Sequence, residues 1–242
     1  MVQLSVIVPA WNEAEVLKQT LPELHAYLKT LSYTFELLVA DDGSTDNTHQ
    51  VVESLRKKLP GLHHVGYKVN KGKGGTLNHA FSKAKGDYQA FIDADLTIDK
   101  TMIGQEITAL KAGADIAIAS KHAKGAQVDY PLLRIIASYG FTLFTRVIFG
   151  MKLTDFQCGC KAFKKAAIQS LLPTIKTQGF MWDTEVLVKA QQKHYKIVEL
   201  PARVKPDERR SKVRVFRDTW RMFRGLLALK RELHGHKLAE QA

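Results

Sequence analysis

Short apolar runs alternate with amphipathic stretches through the first hundred and twenty residues. Leu4–Pro9 is an apolar run of strand length. After it, Leu17, Thr20, Leu21, Leu24, Leu28 and Leu31 recur at helical spacing. Phe35–Ala40 predicts a second strand, stopped by Asp41, Asp42 and Gly43. Ser44 or Asp46 is placed to cap the next helix, whose apolar face is Val51, Val52 and Leu55. His63–Lys68 predicts a third strand, followed by a glycine-broken loop and a helix near Thr76–Ala84. Tyr88–Ile92 predicts a fourth, ending at Asp93-Ala94-Asp95, and Asp115–Ala119 a fifth. Strand and helix in alternation with short links predict an α/β fold, a mostly parallel sheet with helices on both faces.

In such open sheets ligands bind beyond the carboxyl ends of the strands. Polar or acidic residues stand at three of those ends: Asn12 and Glu13, Asp41 and Asp42, Asp93 and Asp95. Asp93 and Asp95 are two apart, so both carboxylates can reach one hard divalent cation, Mg2+ or Mn2+. An acidic end to a strand also serves simply to turn the chain, but three on one sheet edge favour a site. The segment Asn70-Lys71-Gly72-Lys73-Gly74-Gly75 is basic and precedes a helix, so its amides and lysines suit a phosphate or a base. It has neither P-loop nor dinucleotide-fingerprint spacing. No nucleophile elbow is present, the nine histidines lack metalloenzyme spacing, and Cys158 and Cys160 read as two small buried thiols.

Composition narrows the classes. The 242 residues are 45% hydrophobic and 25% charged, which suits one folded domain or a domain with an appendage. Two cysteines are too few for a secreted disulfide scaffold and fit a reducing compartment. No window has the apolar character of a signal peptide or the length of a membrane span. The formal charge of +12 is uneven: residues 1–100 sum to −1, 101–200 to +6 and 201–242 to +7. Nucleic acid would explain a basic chain, but no recognition motif occurs and the acidic strand ends would repel phosphate without a metal.

Seven motifs in order carry a resemblance over nearly the whole chain. They are SVIVPAWNE (Ser5–Glu13), LLVADDGSTDNT (Leu37–Thr48), NKGKGGTLNHA (Asn70–Ala80), FIDADLTID (Phe91–Asp99), TDFQCGCKAF (Thr154–Phe163), WDTEVL (Trp182–Leu187) and VELPARV (Val198–Val204). Together they resemble the GT-A glycosyltransferases of family 2. Within these the chain is similar to the polyprenyl-phosphate sugar transferases: dolichyl-phosphate mannose synthases and, more closely, dolichyl-phosphate glucosyltransferases. The resemblance implies a GT-A fold over residues 1–204. It places Pro9, Ala10, Asn12 and Glu13 around a nucleotide-sugar donor, Asp42 on its base or ribose and Lys73 near the base. Asp93 and Asp95 become the metal motif, Asp93 also meeting the donor. Lys121 stands where relatives usually have a phosphate-binding Arg, and Arg134 resembles an arginine that meets donor or acceptor phosphate. Ser211-Lys212 resembles a basic closing loop over the donor. Two positions depart: Thr97 replaces a glutamine-like residue after the metal aspartates, and Lys121 offers a point charge instead of a guanidinium fork.

The reaction so implied is direct displacement at the sugar's anomeric carbon with inversion. A polyprenyl phosphate acceptor is already anionic, whereas a hydroxyl acceptor needs a positioned carboxylate. Asp155 and Asp183 stand as such bases or as orienting groups; helix capping accounts for either equally well. The TDFQCGCKAF stretch tilts the donor to UDP-glucose over GDP-mannose by resemblance.

Residues 205–242 read as a basic extension. Phe216, Thr219, Trp220, Phe223, Leu226 and Leu227 share one helical face, with Arg214, Arg217, Arg221 and Arg224 beside it. This pattern suits either a helix lying in an anionic membrane interface or one docked on its own domain. Tyr130–Phe149 reads as a second interfacial surface, an acceptor channel or core. The expected location is the cytoplasm, peripheral on a membrane; the sequence leaves the oligomeric state open.

Overall fold

The computed structural model describes residues 1–128, 132–205 and 222–233, with side chains from 138 onward in the second segment. Nine strands are found among them: β1 (Leu4–Ala10), β2 (Phe35–Asp41), β3 (Leu62–Gly66), β4 (Tyr88–Ile92), β5 (Ile116–Ser120), β6 (Gln127–Val128), β7 (Cys160–Lys164), β8 (Ile197–Pro201) and β9 (Arg203–Val204). Seven build the main sheet in the order β3-β2-β1-β4-β7-β5-β8, while β6 and β9 pair separately. Every pairing in the main sheet is parallel except those of β7, which runs antiparallel between β4 and β5.

Alternation along the strands feeds two apolar layers. On one face Leu4, Val6 and Val8 of β1 meet α1 (Ala14–Thr30), α2 (Thr48–Arg56) and α4 (Thr101–Lys111). On the other, Ile7 and Phe91 meet α3 (Lys73–Lys83), α6 (Lys165–Leu171) and α7 (Trp182–Gln192), with Phe141 of α5 (Leu132–Phe149). Trp182 is the largest side chain of the second layer and is wholly buried, packed against Phe81, Phe91 and Phe163.

Several expectations shift. The third strand ends at Gly66 instead of Lys68, and the fifth is displaced by one residue. The cap of α2 is Asn47, while Asp46 accepts bonds from the Thr48 amide and hydroxyl. The third helix starts at Lys73, because its glycines permit close packing instead of breaking the chain. A Cβ on Gly74 would stand 2.7 Å from both the Thr177 carbonyl oxygen and Trp182 Cβ. The antiparallel β7 begins inside TDFQCGCKAF and runs one residue past it, where the local pattern predicts a helix after Asp155; Asp155 caps no helix. The segment carries too few alternating residues to announce itself as a strand.

The described part of the C-terminal extension, the helix over 222–233, docks on the domain. Leu226 and Leu229 are buried in the second layer, and Phe223 packs on Phe141 and Phe144. Part of its apolar face, Leu226 and Leu229, is therefore committed to the core, while Leu227 of the same face and Arg224 stay exposed. Phe216, Thr219, Trp220, Arg214, Arg217 and Arg221 lie outside the described residues.

Candidate active site

The strand order turns outward in both directions from β1 and β4, and a cleft opens there beyond their carboxyl ends. Its volume is about 1490 Å³. That exceeds the roughly 300–1,000 Å³ of a single small-molecule pocket. Pro9, Ala10, Asn12, Glu13, Asp42, Lys73, Asp93, Asp95 and Lys121 all line it. Lys212 and the side chain of Arg134 lie outside the described residues.

On one side, loops after β1 and β2 are stitched together. Asn12 adopts a left-handed φ of 53°, a conformation asparagine tolerates better than most residues. Its amide donates to Ser44 Oγ at 2.9 Å, and its Oδ1 accepts from the Thr45 amide at 2.8 Å. Asp42 accepts from the Lys71 and Gly72 amides at 2.8 and 2.9 Å, which pins the basic loop against the end of β2. Asp41, its neighbour, turns away to Ser44 and His64.

At the centre, Asp93 and Asp95 lie in the turn just past β4. Leu96 holds φ at 50°, a strained conformation for leucine and one that commonly marks a functional turn. The Asp93 side chain is 41% exposed to the open cleft. Gly159 is pressed against it: a Cβ there would fall 1.8 Å from Asp93 Oδ2. The Asp93 amide donates to the Gly159 carbonyl at 2.9 Å, so the two backbones hold each other in place. Desolvation raises the Asp93 carboxyl above its ordinary range, with the Asp95 charge adding to this and Lys73 opposing it.

Lys73 Nζ lies 2.9 Å from Asp93 Oδ1 and 3.2 Å from Asp183 Oδ2. The resemblance set Lys73 near the donor base; its ammonium is engaged by these two carboxylates. Burial alone would lower its pKa, but the two acids raise it, so it stays charged. Asp183 is buried, does not line the cleft, and pairs through Oδ1 with Lys161 Nζ at 2.6 Å. Burial would raise its carboxyl, yet Lys161 and Lys73 hold it below the usual value. It sits in the first turn of α7, but its oxygens serve the two lysines instead of capping that helix.

On the far side, Asp155 is also buried and absent from the cleft wall. Its Oδ2 accepts from the Lys121 amide at 3.0 Å and meets Lys121 Nζ at 3.3 Å; its Oδ1 accepts from the Gln157 amide at 2.9 Å. Burial pushes this carboxyl up, and the Lys121 charge and amide bonds bring it below the ordinary range. Both acids that the sequence offers as bases are therefore enclosed and ionised, each against a lysine.

Sequence reasoning missed part of the wall. His122 and Ser138 join the cleft, His122 Nε2 lying 2.9 Å from Ser138 Oγ, and burial lowers the His122 pKa. Thr177, Gly179, Phe180 and Met181 form one lip, held by Glu185, which accepts from the Lys176 and Thr177 amides. Met222 and Leu229 complete the rim. Gln157 and Gly159 were within reach, since both sit in the TDFQCGCKAF motif. Nothing in the local pattern singles out His122.

The sequence profile of glycosyl transferase family 2 matches residues 5–172, more than half of the chain. The chain belongs to glycosyl transferase family 2. Among curated family members it is 30% identical over 208 residues to glycosyltransferase AglD of Haloferax volcanii, with 85% of this chain and 33% of that protein aligned. It is 32% identical over 219 residues to dolichyl-phosphate beta-glucosyltransferase of Saccharomyces cerevisiae, covering 82% and 65%. It is 32% identical over 203 residues to dolichol-phosphate mannosyltransferase of Pyrococcus furiosus, covering 82% and 55%. The chain thus spans between one third and two thirds of the length of these relatives. The fold matches glucosyl-3-phosphoglycerate synthase of Mycobacterium tuberculosis crystallised with UDP, with a TM-score of 0.73 at 19% identity over 95% of this chain and 80% of that one. The same enzyme, crystallised with Mn2+, UDP and glucosyl-3-phosphoglycerate, aligns with a TM-score of 0.72 at 19% identity over 94% and 80%. Both establish the GT-A architecture.

Proposed function

We propose that this chain transfers a hexose, with inversion, from a nucleotide-diphosphate sugar to a polyprenyl phosphate at an anionic membrane surface on the cytoplasmic side. UDP-glucose is the favoured donor and GDP-mannose the next. The observation that carries the reading is the convergence of Asp93 and Asp95 at the centre of one cleft that Lys121 lines on its far side. Curated relatives named as dolichyl-phosphate glucosyl- and mannosyltransferases support the acceptor class.

Asp93 and Asp95 suit Mg2+ or Mn2+. Among the described residues no group of three or more His, Cys, Asp or Glu converges as a closed metal site. Two carboxylates are the number expected where such a cation takes its remaining ligands from water and substrate phosphates. When bound, the cation supplies charge neutralisation for a departing diphosphate. Around it, the loop pinned by Asp42 seats the nucleoside, and Lys121 offers positive charge to a phosphate. An ionised acceptor phosphate attacks without surrendering a proton, so no base has to face the cleft. On this reading Asp155 and Asp183 orient lysines and abstract nothing. Arg134 and Lys212 would add to the phosphate-binding charge.

Membrane contact is supported by α5. Tyr139, Leu143 and Val147, four residues apart, are 53%, 61% and 75% exposed along one line of that helix. Among the described residues no helix is long and apolar enough to cross a membrane. The deciding experiment is a panel of UDP- and GDP-sugars with Mn2+ or Mg2+, scored for transfer to undecaprenyl or dolichyl phosphate. Transfer only to a saccharide or protein hydroxyl would overturn the acceptor assignment.

A further inference from the structure

Behind the cleft the charges form a chain of alternating sign. Asp93, at the surface, meets Lys73; Lys73 meets Asp183; Asp183 meets Lys161, at 2.9, 3.2 and 2.6 Å in turn. Lys161 is wholly buried and ends the chain by donating to the Cys158 carbonyl at 2.7 Å. Both ammonium groups lie near the ring of Phe91, Lys73 at 4.9 Å and Lys161 at 5.4 Å from its centroid. The ring of Phe91 flanks both ammonium groups, and the Cys158 carbonyl anchors Lys161.

We infer that Asp183 is the counter-ion that lets the cleft bind a divalent cation, by drawing the charge of Lys73 away from Asp93. The inference rests on the metal part of the proposed function and assigns Asp183 a positioning role. Lys73 is a cation already seated on a carboxylate that the metal would use. Two forces act on that ammonium, one from Asp93 and one from Asp183. With both present, its positive charge is shared, and Asp93 retains negative charge to offer a metal. With Asp183 neutral, Lys73 would concentrate on Asp93, and Lys161 would add a second uncompensated positive charge behind it. Like charges in a partly desolvated wall repel an incoming cation more strongly than they would in water. Lys161 acts in the complementary sense, since its bond to Asp183 keeps that carboxylate from swinging wholly onto Lys73.

The test is direct binding of Mn2+ to the full chain, followed by the electron paramagnetic resonance signal of free Mn2+, with and without UDP. Asp183→Asn is expected to weaken Mn2+ binding about tenfold, a change of about 1.4 kcal/mol. Adding Lys73→Met to Asp183→Asn removes the misplaced cation and is expected to restore binding to within about threefold of the unaltered chain. Urea unfolding of both variants separates the roles: a merely structural Asp183 would lose and regain Mn2+ affinity only in step with stability, whereas the counter-ion role moves Mn2+ affinity under conditions where every variant is fully folded. Unchanged Mn2+ affinity in Asp183→Asn, or no recovery in the double variant, overturns the inference while leaving the metal site standing. If the unaltered chain holds no Mn2+ even with UDP, the metal reading fails and this inference falls with it.

Discussion

Lys121 gives both its backbone amide and its side-chain ammonium to one oxygen of Asp155, at 3.0 and 3.3 Å. That double attachment fixes the residue that faces the cleft by means of one that does not. Removing one partner of a buried ion pair typically costs about 3–5 kcal/mol, because the other is left uncompensated. Asp155→Ala is therefore expected to lower stability by that order in urea unfolding. Combining it with Lys121→Met should recover part of the loss. A single variant as stable as the unaltered chain would show that the pair contributes little.

Asp95→Ala should abolish transfer; because its Oδ1 also accepts from the Thr97 amide at 3.0 Å, a loss of about 1 kcal/mol in stability accompanies it. Gly159→Ala tests the same centre from behind. Its new Cβ must push Asp93 out of place, and a displacement of about 1 Å at a reacting centre can cost a hundredfold in rate. Transfer assays on both variants, with circular dichroism as the check on folding, measure this. Near-normal turnover in Asp95→Ala would refute its metal role.

Glu106 predicts a pH dependence of stability unrelated to the cleft. It is wholly buried in α4, its Oε2 accepts from the Cys160 thiol, and its Oε1 has no hydrogen-bond partner among the described residues. Burial pushes its pKa up to about 8, with Cys160 and Lys161 opposing. The folded state therefore keeps a proton that the unfolded state loses above the ordinary glutamate range. Stability should fall as pH rises from about 4.5 toward about 8, by up to about 1.4 kcal/mol per pH unit. Below that window both states are protonated; above it both are ionised and the loss is complete. Glu106→Gln should remove this slope. Urea unfolding at pH 5 and pH 8 compares the two proteins, and identical slopes would exclude Glu106 as the cause.

The exposed line on α5 predicts a separable membrane contact. Leu143→Glu with Val147→Glu should reduce flotation with anionic liposomes severalfold, with little change in unfolding midpoint, because neither side chain is in the core. Undiminished flotation would assign the contact to another surface.

Strands β1, β2, β4 and β5 were legible because each is a short, mostly apolar run bounded by polar residues, whereas the parallel β8 was not marked as a strand. Tyr88–Ile92 matches residue for residue, and the cleft stands where Asn12, Asp42 and Asp93 put it. The antiparallel β7 was not legible, since Lys161 interrupts its apolar pattern. That lysine is tolerated in a core only because Asp183, far along the chain, neutralises it. The same reason hid the roles of Asp155 and Asp183. Their partners are fixed by tertiary contact, and a local reading of an acid near a helix suggests capping first. In the C-terminal extension only the helix over 222–233 is described, and there the amphipathic pattern carries no information on whether a bilayer or the protein's own core covers the apolar face.

The place of β7 also constrains how the chain can assemble. β5 has no neighbour in the main sheet earlier than itself in sequence, because both its partners, β7 and β8, are made later. Until Cys160–Lys164 threads between them, β4 and β5 each present an unpaired edge. Closing those edges requires contacts between segments about 70 residues apart for β4 and about 45 for β5, and such distant pairings form slowly. A nascent chain halted before β7 would therefore display one open border on β4 and both borders of β5. The strand that carries Lys161 behind the cleft is also the one that seals the sheet.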